Sequence, residues 1–163
     1  MYARWSSQTT VILPNGDDRV GYTLGYTGDL TGDFNRDFIL TVTPAAGYTV
    51  IDVSTEITDV IKDGDDYKFK VVDNVPIHIK VQETSTGKQT ESSDTTLNYD
   101  NGSKTDVRTV AEKDNSGTST ITVKSVNTKD DVVQYESVTE AIVTQSSATV
   151  TITTTDDESA EAS

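Results

Sequence analysis

The chain of 163 residues contains no cysteine and only one histidine. Without cysteine, disulfides, cysteine-ligated zinc and thiol chemistry are excluded. Any Ser-His-Asp site would have to use His78. That residue alternates with Ile77 and Ile79, so it is predicted to face away from their core, on the surface. The sequence also lacks a glycine-rich phosphate loop followed by a helix. We therefore expect the protein not to be an enzyme.

Long apolar runs are also missing. No stretch of about 18 apolar residues occurs, which predicts no transmembrane helix. Residues 1–5 lack the apolar segment of a Sec signal peptide, so no export signal is expected there. The formal net charge of −14 repels phosphate backbones and anionic lipids, and neither nucleic acid nor membrane insertion is expected. The acidity is typical of a solubility-promoting surface, with Ca²⁺ or a basic partner as the alternative.

The residues that are abundant favour strands. Valine, isoleucine and threonine are restricted in helices and pack well on pleated sheets. Tyr67, Phe69 and Val71 alternate with lysines after an Asp-Gly turn, and the segment from Ile77 to Val81 alternates in the same way. Such alternation between turn signals is typical of hairpins. The sequence predicts an all-β fold.

Domain organisation follows from one change in composition. Residues 84–96 contain no apolar side chain, which is typical of a linker. We therefore predict two small antiparallel β modules, each a β-grasp-like or Ig-like sandwich, joined by a polar linker. The predicted parts are an N-terminal arm (1–10), a first module (11–83), the linker (84–96), a second module (97–155) and an acidic disordered tail (156–163). The core of the first module is predicted to contain Leu40, Val42, Val50, Val53, Tyr67, Phe69, Ile77 and Ile79.

One loop carries a candidate metal site. Asp33, Asn35 and Asp37 have the 1-3-5 oxygen spacing of a calcium loop, and Asp29 lies close by in the sequence. The later positions do not fit an EF-hand, because Phe38 stands where glycine is needed and Pro44 where glutamate is needed. The alternatives are a Ca²⁺ site of another type and a solvated loop with Asx turns. Asp63, Asp65 and Asp66 form a second, weaker candidate.

Aromatic residues supply the other candidate sites. Tyr22 and Tyr26 could stack on sugar rings, or they could face the core together with Leu24. Tyr2 and Trp5 lie in the predicted N-terminal arm. Large aromatic side chains often dominate the energetics of interfaces, so the arm is predicted to contact another subunit or a neighbouring protein.

The segment from Phe38 to Val81 carries a family resemblance. Phe38-x-Leu40-Thr41-Val42-Thr43-Pro44-x-x-Gly47-Tyr48, followed by Gly64-Asp65-x-Tyr67-x-Phe69 and Ile77-x-Ile79-x-Val81, resembles bacterial modules related to the InlB B-repeat. The chain departs from that pattern in having no tryptophan after the Gly-Tyr turn. The resemblance implies a small β-grasp-like unit that serves in stalks and interactions of surface proteins. It brings no catalytic residues.

These observations favour a non-enzymatic structural or decoration protein of a virion, in a capsid, tail or fibre, with a bacteriophage as the expected source. The expected location is the virion, and the expected partners are other virion proteins, with host glycans and a homo-oligomer left open. The alternative is a fragment of a bacterial surface adhesin, or a carbohydrate-binding module, located outside the cell or on its surface.

Overall fold

The computed structural model describes residues 8–16 and 19–156, and this part of the chain is all-β, as predicted. Period-2 alternation and β-branched side chains account for the strands. The strands are β1 (Gln8–Ile12), β2 (Tyr22–Thr27), β3 (Thr31–Asp33), β4 (Arg36–Pro44), β5 (Tyr48–Ser54), β6 (Ile61–Asp63), β7 (Asp66–Val71), β8 (Val75–Pro76), β9 (His78–Glu83), β10 (Gln89–Asn98), β11 (Ser103–Lys113), β12 (Ser119–Lys129), β13 (Val132–Val143) and β14 (Ala148–Asp156).

The strands form three sheets. A four-stranded sheet has the order β2-β4-β7-β6, a seven-stranded sheet has the order β14-β13-β12-β11-β10-β9-β5, and a short sheet has the order β3-β1-β8. Pairing is antiparallel except between β1 and β8, where Val11 lies beside Val75 and Ile12 beside Pro76. Because β1 pairs with β3 through its first half and with β8 through its second half, it joins two distant parts of the chain.

The hydrophobic core lies between the four-stranded sheet and the β5-β9-β10 end of the seven-stranded sheet. It contains Val11, Tyr22, Phe38, Leu40, Val42, Val53, Tyr67, Phe69, Val71, Val75, Ile77, Ile79 and Val81. Seven of the eight predicted core residues are buried, and the eighth, Val50, is partly buried against the same cluster. The predicted strand register is therefore confirmed for this region, because a slip of one residue would have turned these side chains outward.

The predicted linker is wrong for most of its length. Residues 89–96 belong to β10, which pairs with β9 on one side and β11 on the other. Thr90 and Ser92 are buried although neither is apolar. The hydroxyl groups of Ser92 and Tyr22 lie 2.8 Å apart and share a hydrogen bond, which satisfies polar groups that would otherwise be costly to bury. Polar composition therefore did not mark a break between modules, because one seven-stranded sheet runs through the segment.

The second half of the chain forms a meander rather than a second module with its own core. Strands β10 to β14 follow each other in both sequence and space. In the described part of the chain, no hydrophobic side chain beyond Val81 is buried. The outer strands of the meander therefore depend on ladder hydrogen bonds and cross-strand pairs rather than on a second packed layer.

The predicted ends of the chain are described only in part. Residues 8–10 of the predicted arm belong to β1, and Asp156 of the predicted tail is the last residue of β14. Residues 1–7 and 157–163 lie outside the described residues. Tyr2 and Trp5, the aromatic residues predicted to anchor the arm, are therefore outside them as well.

Candidate functional site

The outer meander has two faces of very different chemistry. Residues directly opposite each other in antiparallel strands project to the same side of a sheet, so the register assigns every side chain to a face. One side, called here the uncharged face, consists of three rows across β11, β12, β13 and β14: Ala111, Ile121, Ala141 and Val150; Thr109, Val123, Thr139 and Ile152; Val107, Ser125, Ser137 and Thr154.

None of these twelve side chains carries a charge. A quarter of the chain is charged, so twelve residues chosen at random would include about three charged ones. Seven of the twelve are valine, isoleucine or alanine, and the other five are serine or threonine. The exposed fraction is 62% for Val150 and 66% for Ile152. The next row on the same side contains the exposed Val143 but also Lys113, so the uncharged surface ends there.

The opposite side, called here the charged face, is typical of a solvated sheet surface. Its rows contain Val110, Thr122, Glu140 and Thr151; Arg108, Lys124, Val138 and Thr153; and Asp106, Val126 and Glu136. Five of these eleven residues are charged. Lys124 and Glu136 form an ion pair with 3.1 Å between Nζ and Oε1, as neighbouring strands commonly do on a solvent-facing side.

Alternation explains why the sequence separates the two kinds of side chain. In β12 the even positions Thr122 and Lys124 are polar or charged, whereas the odd positions Ile121 and Val123 are apolar. Since the side chains of a strand point alternately to opposite sides, the charges in the middle of β11 to β13 fall on one face, whereas Lys113 and Lys129 at strand ends fall on the other. Sequence reasoning missed this surface, although the parity of the charges in β11 to β13 was the signal that could have revealed it.

A polar row closes the uncharged face at one end. The Asn127 side-chain amide donates a hydrogen bond to the Thr105 hydroxyl at 3.0 Å, and both residues are buried. Leu97 and Tyr135 flank this pair in the same row and remain exposed. A paired amide and hydroxyl is the arrangement expected for buried polar groups.

The backbone of the candidate calcium loop is organised around Arg36. The Arg36 guanidinium donates hydrogen bonds to the backbone oxygens of Thr9, Asp29, Leu30 and Asp33 and to the hydroxyl of Thr9, at 2.8–3.3 Å. The carbonyl oxygens of the loop therefore already face a cation.

The four predicted ligands are not brought together. Asp37 forms an exposed ion pair with Lys70, with 2.7 Å between Oδ1 and Nζ. Asn35 adopts a left-handed turn conformation with φ of 65°, and its backbone N–H donates to the carbonyl oxygen of Val71. Among the described residues no group of three or more acidic, histidine or cysteine side chains is arranged to hold a metal ion. In the second candidate, Asp63 pairs with Lys68, and Asp66 accepts a hydrogen bond from Thr41.

The two tyrosines considered for sugar stacking have different environments. Tyr22 is buried in the core, so the stacking hypothesis is wrong for this residue. Tyr26 is exposed and stacks on Phe38, with 5.6 Å between ring centroids. β2 is an outer strand of its sheet: Tyr22 at its start is buried in the core, Leu24 is partly buried against the core, and Tyr26 near its end is exposed.

His78 lies between two glutamates on the side of the sheet away from the core. Its Nε2 is 2.9 Å from both carboxylate oxygens of Glu56, and its Nδ1 is 3.5 Å from Glu91. The pKa of Glu56 is lowered, first by a hydrogen bond from a backbone amide and then by His78, although partial burial opposes this. His78 therefore links β9 to Glu56, which follows β5, and to Glu91 in β10.

The described residues include no helix that is long and apolar enough to cross a membrane. Comparison with known proteins gives no family, curated protein or solved structure that matches this chain.

Proposed function

We propose that this chain is a non-enzymatic structural protein of a larger particle, and that it works by contact with other proteins. The observation that carries the proposal is the uncharged face. An exposed apolar surface of this extent usually marks an interaction site, whereas single exposed apolar residues do not. Elsewhere the acidic surface disfavours association between like-charged chains. The protein therefore has one broad surface suited to contact and a remaining surface suited to solvent.

We propose a virion as the particle, with the chain in a capsid, tail or fibre. A chain without cysteine needs no disulfide and can keep the same fold in the reducing cytoplasm and outside the cell. Virion proteins meet both environments, because they assemble in one and act in the other. The all-β sandwich with a projecting meander provides a rigid body and a contact surface.

The decisive test is whether purified particles contain this chain. Particles from cells that produce this chain would be separated on a density gradient, washed with high salt and analysed by mass spectrometry. We expect the chain in the particle fraction in amounts comparable with its other structural proteins. Its presence only among unassembled proteins would reject the virion proposal. Val123→Glu should reduce incorporation, whereas Thr122→Glu, one residue away on the charged face, should not.

A glycan-binding module is the second candidate, and Tyr26 is the observation that favours it. Its exposed ring is held by stacking on Phe38, and pre-oriented aromatic rings suit contact with the apolar face of a sugar. Binding on a glycan array that is lost in Tyr26→Ala and kept in Tyr99→Ala would support this candidate. A blank array at high protein concentration would remove it.

A further inference from the structure

We propose that the uncharged face binds a second copy of this chain, with the two faces packed against each other across a two-fold axis. The inference rests on the proposed function, because the same face is the assembly surface there. It goes further by naming the partner. In a two-fold contact the same patch is used by both subunits, so the patch must be compatible with itself.

Charge argues for self-association at this face. Each copy carries a formal net charge of −14, so most orientations of two copies bring like charges together. The twelve residues of the uncharged face contribute no charge to such a contact. A basic partner would instead need carboxylates opposite its lysines and arginines, and this face offers none.

The size of the face fits a weak dimer. Its three rows span about six residues in each of four strands, at about 3.4 Å per residue and about 4.8 Å between strands, and so cover about 400 Å². Two such faces would bury about 800 Å² in total, which is below the range of about 1,200–2,000 Å² for stable complexes and is typical of weak ones. Sheets that pack face to face bury alternate side chains in this way and lie about 10 Å apart.

The shape of the side chains is also compatible with sheet-on-sheet packing. The rows alternate valine and isoleucine with alanine, serine and threonine, so large and small side chains from two copies can interdigitate. The charged face lies on the other side of β11 to β14 and would face solvent in the dimer, as the outer face of a sandwich does. Glu91 in β10 and Lys113 at the end of β11 project to the same side as the uncharged face and would lie at its rim.

Sedimentation equilibrium on the full chain tests the proposal, from about 1 µM to about 200 µM. We expect a monomer–dimer equilibrium. Val123→Glu places a carboxylate at the centre of the face and should raise the dissociation constant at least tenfold. Thr122→Glu adds the same charge to the charged face and should leave the constant within about twofold. Circular dichroism would establish that both variants keep the strand content of the parent chain.

A second pair of variants keeps the test valid if Val123→Glu does not fold. Ile152→Glu changes a side chain that is 66% exposed, so the monomer loses no core contact. It should weaken the dimer at least tenfold, whereas Thr151→Glu on the opposite face should not. Raising salt from about 50 mM to about 500 mM should strengthen the dimer, because it screens repulsion between acidic copies.

Three results would overturn the proposal. The first is a monomer at all concentrations. The second is association that weakens with salt, which would indicate contact through opposite charges. The third is a dimer that survives Val123→Glu but is lost in the double variant Thr151→Glu, Thr153→Glu, which would indicate pairing through the edge of β14. A chain that is monomeric alone yet enters particles would remove this inference and leave the proposed function standing.

Discussion

Replacing Arg36 by methionine should lower the free energy of unfolding through the loss of hydrogen bonds rather than through a new cavity. Methionine keeps much of the length of the side chain but has no donor. The guanidinium donates to five acceptors, of which four are backbone carbonyl oxygens. These acceptors belong to β1, to the loop before β3 and to the last residue of β3. The substitution therefore removes the contact that holds three segments to β4.

The magnitude follows from the burial of these bonds. Three of them, to the Thr9 hydroxyl, the Thr9 carbonyl and the Leu30 carbonyl, are partly buried, whereas the others are exposed to water. Counting about 1 kcal/mol for each partly buried bond and little for the rest gives a loss of about 2–4 kcal/mol. In urea denaturation this should lower the unfolding midpoint by about 1–2 M.

A matched control separates the hydrogen-bonded cation from a surface charge. Lys70→Met removes a positive charge from the strand next to β4, but its ion pair with Asp37 is exposed, so the cost should stay below about 0.5 kcal/mol. Arg36→Lys should recover less than half of the loss, because an ammonium group cannot reproduce the fork of donors. A loss below about 1 kcal/mol for Arg36→Met would refute the reasoning.

Three further predictions concern the sandwich. Phe69→Ala should cost about 3–5 kcal/mol in urea unfolding because the side chain is buried against Phe38, and a cost below about 1 kcal/mol would contradict that packing. Gly21→Ala and Gly47→Ala both place alanine at φ of +83°, which should lower the free energy of unfolding by about 1–2 kcal/mol. Gly21→Ala should lower it by at least about 1 kcal/mol more, because the new Cβ would overlap the Tyr48 ring. Equal costs for the two variants would exclude that overlap. Burial, with the charges of Asp52 and Asp65, raises the pKa of Tyr67, so its contribution to stability should be present below about pH 10 and lost as pH rises above that value. In thermal melts, the melting temperature of Tyr67→Phe should fall less than that of the parent chain as pH rises through that range. Identical pH profiles for the two proteins would reject the linkage.

The sandwich core could be predicted because its strands alternate regularly. Leu40 and Val42 in β4, and Ile77 and Ile79 around the start of β9, stand at period-2 spacing between strong turn signals. Burial on one face then follows from the geometry of a strand. No long-range information was needed to assign these side chains to the inside.

The environment of β10 could not be predicted in the same way. Ser92 is buried because the Tyr22 hydroxyl, seventy positions earlier, lies against it. Composition reports the polarity of a segment, but not whether a distant partner satisfies it. The environment of the candidate calcium loop could not be predicted for a similar reason: the spacing of Asp33, Asn35 and Asp37 does not reveal that the side chain of Arg36 donates to the carbonyl oxygens of the loop.

The uncharged face could be predicted from the sequence only in part. The parity of Ile121 and Val123 against Lys124 was visible in one strand. Joining four strands into one surface required the register between them, which long β-branched runs leave open until the turns are known. The pairing of Val123 with Thr109 and Thr139 supplies that information.

The parallel contact between β1 and β8 also has a consequence for the order of events during synthesis. Val11 leaves the ribosome sixty-four residues before its neighbour Val75, which corresponds to about 3–13 s at typical elongation rates. Through that interval β1 lacks the strand that completes its sheet, whereas each hairpin of the meander can close within moments of being made, because its contacts are local. We therefore expect β1 to remain without its parallel partner until β8 is made, and protection against early aggregation to matter for β1 during that interval.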